Sequence, residues 1–375
     1  MNSSAEKFEP IWVAGFMSGT SIDAVDGALI RTDGVEILEF GPTVERKYTQ
    51  QERQVLQTAT QAALDWNWQG PQPEKAFDAA RDVMVATHAD AWTSLQDQAD
   101  GRVIALAGVH GQTVLHKRAT AEERGATLQL MDAPSLQDKM GVPLAYDFRS
   151  DDVAAGGQGA PLAPAYHQAL LSGLEHEAAA VLNLGGVANI TARLPDGEML
   201  AFDTGPANGP IDEWVEGHDA GTHDAGGALA ARGQVHEGLL MQLLDHPWFD
   251  VPAPKSLDRY DFNASMVRGL SLEDGAATLT AFTANSVARS LNQLPVMPDC
   301  LIACGGGRHN PTLMSMLNAF VPCDVVSAEH VGWRGDSIEA EAFAFLAART
   351  LRDLPISWPK TTGAPNPMTG GRLQK

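Results

Sequence analysis

One element occurs twice, and it limits the folds open to this chain more than any other feature. Ile11 to Phe16 is a short apolar run that reads as a strand. The small residues Ser18-Gly19-Thr20-Ser21 follow, and a second apolar run extends from Ala24 to Ile30. Two strands joined by a small-residue turn predict a β-hairpin. About 165 residues later the pattern returns, with Ala180 to Leu184, the turn Gly185-Gly186, and Val187 to Thr191. A repeated strand, glycine turn and strand predicts a duplicated architecture holding a nucleotide between its halves. At 375 residues the chain exceeds one ordinary core, which also points to two domains.

Between the two hairpins, helical and strand patterns alternate, as in an α/β protein. Phe77 to Gln98, Pro164 to Leu171, Ala276 to Leu291 and Ser337 to Leu351 read as helices, and Val103 to Val109 and Cys300 to Cys304 as strands. Asn310 followed by Pro311 predicts an N-cap and first helical residue for a helix ending at Phe320. Asp336 with Glu339 three residues on matches a capping box, making Asp336 the expected cap of the last long helix. The tail from Pro355, rich in Pro, Gly and Thr, is expected to pack back without regular structure. The expected domains are residues 1–150, with the 360–375 tail packed on them, and residues 151–360.

Composition removes several classes of function. A formal net charge of −21 argues against nucleic acid or an anionic membrane as partner, because both select a basic footprint. The first ten residues lack the basic start and apolar run of a signal peptide, and stretches such as Ala342 to Ala348 are too short to span a bilayer. A soluble cytoplasmic protein is the expectation. The three cysteines, Cys300, Cys304 and Cys323, fit a reducing compartment and lack a second ligand pair in zinc register. His218 and His223 in a glycine-rich loop read as solvated polar loop rather than metal ligands.

No Walker string or dinucleotide fingerprint occurs, so any phosphate must be held by other means. The hairpin turns offer one, because successive backbone N–H groups in a tight glycine turn converge on anionic oxygen. Thr20 and Ser21 add hydroxyls beside Gly19. Asp23 and Asp26 could share a strand face only through a bulge; one could then hold Mg²⁺ through water while the other caps the turn. An ordinary Ser/Thr turn with solvated aspartates fits the same residues. Gly305-Gly306-Gly307, after a buried strand and before Asn310, would admit adenosine or phosphate, or be simply a loop. Asp203, after a short apolar strand and before Gly205-Pro206, suits a catalytic carboxylate and equally an Asp that starts a turn.

In combination these blocks are far more specific. Gly19-Thr20-Ser21-Ile22-Asp23, His110-Gly111-Gln112-Thr113, Asp147-Phe148-Arg149 and Val153 to Leu162 come first. Asn183-Leu184-Gly185-Gly186, Phe202-Asp203-Thr204-Gly205-Pro206, Cys304-Gly305-Gly306-Gly307 and Glu339 to Ala344 complete the order. The chain resembles the anhydro-N-acetylmuramic acid kinase family from about Trp12 to Thr362. The resemblance implies a two-domain α/β actin-like fold with ATP in the interdomain cleft. It implies hydrolytic opening of a 1,6-anhydro sugar coupled to phosphorylation of its 6-oxygen, with Asp203 as general base. ATP and Mg²⁺ are the implied cofactors, with Asp23 as a water-mediated metal contact. Gly19, Thr20, Ser21, Ile22, Asp23, Ala24, Val25, Asp26, Gly185, Gly186, Gly305, Gly306, Gly307 and Asn310 would bind nucleotide. Glu339, His110, Thr113 and Arg149 would line the sugar side, and a homodimer is implied.

The chain departs from the family pattern at Ala24 and Ala207, where Gly is usual, and at Thr204, where Cys is common. Pro254-Lys255-Ser256 is kept, whereas Leu257-Asp258 replaces a small, Gly-containing continuation. These changes bear on affinity and sugar preference more than on reaction class. An amino-sugar or hexose kinase acting on an intact ring is the nearest competing reading. An ATP-driven conformational switch without catalysis is the competing reading from another class.

Overall fold

The computed structural model describes residues 8–375 other than 118, 120–122, 175, 177, 195 and 258–260, so most of the polar N-terminal stretch and Asp258 lie outside the described residues. The chain divides into two units, Met1–Leu170 with Ser337–Lys375, and Leu171–Asp336. The first boundary therefore falls at 170 instead of 150. The segment from Ser337 to 360, expected in the second domain, belongs to the first.

In the first unit, β1 (Ile11–Ser18), β2 (Ala24–Thr32) and β3 (Ile37–Lys47) form an antiparallel meander, extended by β4 (Ile104–Val109) and β7 (Leu144–Tyr146). A separate hairpin pairs β5 (Gln112–Lys117) with β6 (Ala126–Leu130). The tail is not irregular, because a short helix, Pro359–Thr362, and strand β13 (Arg372–Gln374) form there, and β13 pairs with β7. The main sheet runs β13-β7-β4-β1-β2-β3.

In the second unit, β8 (Ala179–Leu184), β9 (Val187–Arg193) and β10 (Met199–Pro206) make another antiparallel meander. The fourth and fifth strands are β11 (Cys300–Cys304) and β12 (Asp324–Ser327), and the sheet runs β10-β9-β8-β11-β12. In both units the order is third, second, first, fourth, fifth. The first strand is antiparallel to the second and parallel to the fourth. The repetition predicted from two hairpins extends to five strands on each side, the duplicated α/β plan of the actin-like fold.

Alternation along the strands explains the layering of the first unit. Ala14, Phe16 and Val25 join a core with Leu56, Phe77 and Trp92 of helices Gln50–Trp66 and Glu74–Asp97. Gly15 and Gly108 meet helix Ile338–Leu351, where a Cβ would lie 2.0 Å from the Ala340 oxygen and 2.3 Å from that of Phe343. That close approach places the helix in the first unit. Its N-cap is Ser337 with no side-chain bond, so the capping box expected at Asp336 does not form. Asp336 instead meets Arg308 at 2.8 Å and His309 at 3.2 Å. In the second unit Leu182, Ile190, Phe202 and Leu301 pack with Val287 and Leu317, from helices Leu272–Leu291 and Pro311–Phe320. Asn310 caps the latter helix by accepting from Leu313 N at 3.0 Å, with Pro311 in its first turn.

Candidate functional site

In the first unit, the turn between β1 and β2 is held from behind. Gln112, fully buried, accepts from Ser18 Oγ at 2.7 Å and donates to the Gly19 carbonyl at 3.2 Å. Ile22 sits at φ 53°, a conformation that costs a β-branched residue on the order of 1–3 kcal/mol and concentrates at functional turns. Asp23 Oδ1 accepts from Ser21 Oγ at 2.8 Å and from Ala24 N at 2.9 Å, so this residue caps the turn. Its second oxygen has no partner among the described residues. The pairing of β1 with β2 runs without a shift from Ile11 to Ser18, so Asp26 stands opposite Met17 and does not share a bulged face with Asp23. Ala24 opens β2 in the extended conformation that its replacement of glycine requires.

Three of the four expected sugar-side residues lie together. Arg149 Nε donates to His110 Nε2 at 2.9 Å, and Arg149 Nη1 donates to the Gly159 carbonyl at 2.6 Å. The His110 ring packs on Phe343 at 4.7 Å between centroids. Burial, then the Arg149 charge, holds His110 well below the usual imidazole range, so it is neutral. Burial also pulls Arg149 down to about 10, opposed by the carboxylates of Glu339 and Asp152. Glu339 keeps exposed surface, yet the protein packed around it raises its pKa; Asp23 adds to that and Arg149 opposes it. Thr113 lies on β5, where its hydroxyl accepts from Gln129 Nε2 at 3.2 Å.

Asp152 carried no role in the sequence reading, yet it organises the small-residue run that follows it. The buried carboxylate accepts from Gly159 N and Thr362 Oγ1 at 2.6 Å, and from Ser357 Oγ at 2.5 Å. An acid placed seven residues before a glycine was the available signal.

In the second unit, Gly185-Gly186 closes the β8–β9 turn, and its carbonyls accept from Asn208 N at 2.9 Å and from Ala207 N and Gly209 N at 3.0 Å. Asn208 Nδ2 donates to the Leu184 carbonyl at 2.9 Å, buttressing the turn from helix Asn208–Glu216. The Gly305–Gly307 loop packs on the same turn. A Cβ at Gly305, where φ is 74°, would lie 2.4 Å from Asn183 Oδ1, and one at Gly307 would lie 2.7 Å from Leu184 Cβ. By contrast, nothing lies within 4 Å of a Cβ built on Gly186 or Gly306.

Asp203 lies on β10 opposite Asn189, which is itself opposite Asn183 on β8, and Asn183 is aligned with Cys304 on β11. A polar row thus crosses the strand ends and leads to the glycine loop. The β9–β10 register shifts just after Asp203, between it and Gly205. Its Oδ2 accepts from Leu257 N at 2.7 Å, and its own N–H donates to the Lys255 carbonyl at 2.8 Å. The Lys255 ammonium is buried, donates to the Trp248 and Phe249 carbonyls, and is pushed down to about 8 by burial. The two asparagines and Lys255 were visible in the sequence as motif letters, but only strand register gives them a place. Asn310, expected at the nucleotide, has its Oδ1 committed to the helix cap.

Among the described residues no cluster of three or more His, Cys, Asp or Glu is disposed to hold a metal, and no helix is long and apolar enough to cross a membrane. The family model described as anhydro-N-acetylmuramic acid kinase matches residues 11–374. A Caulobacter vibrioides protein of that name is 54% identical over 96% of this chain and 98% of its own length. Its namesake from Rhizobium rhizogenes is 50% identical over 97% and 99%. Among solved structures, component A of the Acidaminococcus fermentans (R)-2-hydroxyglutaryl-CoA dehydratase aligns with a TM-score of 0.45, 10% identity, and coverage of 91% and 99%. A Streptomyces griseus ROK-family glucokinase in complex with glucose and AMPPNP aligns with a TM-score of 0.39, 14% identity, and coverage of 90% and 99%.

Proposed function

Because the chain belongs to the anhydro-N-acetylmuramic acid kinase family, we propose that it uses ATP to convert 1,6-anhydro-N-acetylmuramic acid into N-acetylmuramic acid 6-phosphate in cell-wall recycling. Water attacks the anomeric carbon and opens the internal bridge. The released 6-oxygen takes the γ-phosphoryl group, and ADP leaves. Asp203 is the general base that removes the proton from the attacking water, a role that contributes on the order of 10²–10⁴-fold in rate. The observation that carries this reading is the row Cys304–Asn183–Asn189–Asp203, which sets a carboxylate fixed by Leu257 N on strands that end at two glycine turns.

Phosphoryl transfer depends on positioning and charge neutralisation more than on a nucleophile. The Gly19–Asp26 hairpin and the Gly185-Gly186 turn are assigned to the phosphates, and the Gly305–Gly307 loop to the adenosine side. Gly186 and Gly306 support this assignment, because neither has a close neighbour that demands glycine, whereas a ligand approaching the backbone would. Mg²⁺ fits Asp23, whose second oxygen is uncommitted, since this ion takes one or two carboxylates plus water and phosphate oxygens. Held there through water, the ion would supply neutralisation of phosphate charge. Glu339, His110, Arg149 and Thr113 are assigned to the sugar side. A homodimer in the cytoplasm is the setting we propose.

The deciding experiment incubates the protein with ATP, Mg²⁺ and the anhydro-sugar in ¹⁸O-labelled water, with product read by mass spectrometry. A sugar phosphate carrying one label at the anomeric position is the expected product. Phosphorylation of an unbridged amino sugar, with the anhydro-sugar untouched, would overturn the reading.

A further inference from the structure

The first unit contains a half-buried positive charge with no counter-charge in contact. Arg149 makes two hydrogen bonds, to the His110 imidazole and to the Gly159 carbonyl, and both acceptors are neutral. Its Nη2 has no partner among the described residues. Glu339 and Asp152 act on it through space without forming an ion pair among the described residues. Asp152 is occupied by Gly159 N, Ser357 and Thr362. Glu339 makes no hydrogen bond among the described residues, although it is near enough to interact with both Arg149 and Asp23. A guanidinium held by neutral acceptors alone keeps its charge uncompensated, and its planar fork matches a carboxylate or phosphate.

His110 fixes the direction of that fork. Its Nε2 accepts from Arg149, so in the neutral ring the proton resides on Nδ1, and Phe343 holds the ring plane. The Gly159 carbonyl fixes a second edge of the guanidinium. One terminal nitrogen is left to receive an anion.

We propose that Arg149 recognises the carboxylate of the substrate's acid side chain, with His110 as the residue that positions it. The inference rests on the function proposed above, in which the sugar is an acid. A phosphate of ATP shares the anionic chemistry. The local charge favours the carboxylate, because one cation flanked by Glu339 and Asp152, with Asp23 beyond, suits a singly charged group better than a polyphosphate.

The test compares kcat/KM for 1,6-anhydro-N-acetylmuramic acid with that for its neutral carboxamide. The wild type should prefer the acid by about 10- to 100-fold, the range of a charge-assisted hydrogen bond. In Arg149→Met the acid-to-amide ratio should fall to within about threefold of unity, and Arg149→Lys, keeping charge without the fork, should restore part of it. His110→Leu should lower the same ratio, which a merely structural role would leave unchanged. If Arg149→Met fails to fold, the wild-type ratio and the Lys variant decide. A wild-type ratio near unity, or one that Arg149→Met leaves intact, overturns the proposal. A tenfold rise in KM for ATP with the ratio intact assigns the arginine to phosphate and overturns it too. Absence of any turnover of the acid by the wild type would overturn the function reading and this inference together.

Discussion

The two hairpins occupy the same place in the two sheets, yet they are built differently. The β1–β2 turn carries hydroxyls, an acid and an isoleucine at φ 53°, and it is clamped by the Gln112 carboxamide. The β8–β9 turn consists of two glycines and presents backbone alone, clamped by the Asn208 carboxamide and covered by the Gly305–Gly307 loop. A duplicated frame has thus acquired one turn rich in side-chain chemistry and one stripped of it.

The comparison can be broken most severely at Asp203. Asp203→Asn should lower kcat by about 10²–10⁴-fold while calorimetric ATP affinity holds, separating chemistry beside the second turn from binding at it. Loss of ATP affinity in parallel would remove that separation.

Acid should distinguish the units next. The first buries His88, His110 and His167 as neutral rings, with burial holding His88 and His167 near 4, whereas every histidine of the second unit is exposed. A depressed imidazole pKa means the unfolded chain takes up the proton first. Stability is therefore intact above about 6.5 and is lost as pH falls towards 4, by up to about 3 kcal/mol per ring. Hydrogen exchange should report opening of the first unit at a higher pH than the second, and His88→Phe should flatten the pH slope. Simultaneous opening of both units would contradict this.

Among the glycines, Gly305→Ala should cost about 2 kcal/mol in denaturant melts, from a strained φ and contact with Asn183. Gly186→Ala should leave stability within about 0.5 kcal/mol and show itself only as weaker ATP binding. A destabilised Gly186→Ala would mean that the fold, and not the ligand, asks for that glycine.

The smallest effect separates the clamps. Gln112→Leu removes the bonds to Ser18 and the Gly19 carbonyl, leaving the buried Ser18 hydroxyl with Tyr48 at 2.8 Å, and should cost about 1–2 kcal/mol, against about 1 kcal/mol for Asn208→Leu, whose side chain is half-buried. Equal losses in thermal melts would make the two supports equivalent.

Much of this was legible in the sequence, because hairpins, caps and glycine turns are local. The β1–β2 and β8–β9 hairpins, β11 and the Asn310 cap stand where hydrophobic period and turn chemistry predicted them. What the sequence could not resolve depends on contacts between distant residues. Asp336 has the spacing of a helix cap, but Arg308 competes for it. Asp152, Asn183 and Asn189 gain meaning only when register and tail packing bring their partners to them. Helix Ile338–Leu351 follows the second half in sequence but packs on strands laid down at the start.

That last placement also has a consequence in time. The first unit is interrupted by roughly 170 residues, and at ribosomal rates of about 5–20 residues per second its closing helix arrives roughly fifteen to sixty seconds after its opening strands. During that wait, the sheet face lined by Gly15 and Gly108 lacks the helix that covers it in the finished protein. The second unit, contiguous from Leu171 to Asp336, has all its strands in hand first. The half that begins synthesis is the half that finishes folding last, and a chain cut short before residue 338 leaves its opening sheet without its cover.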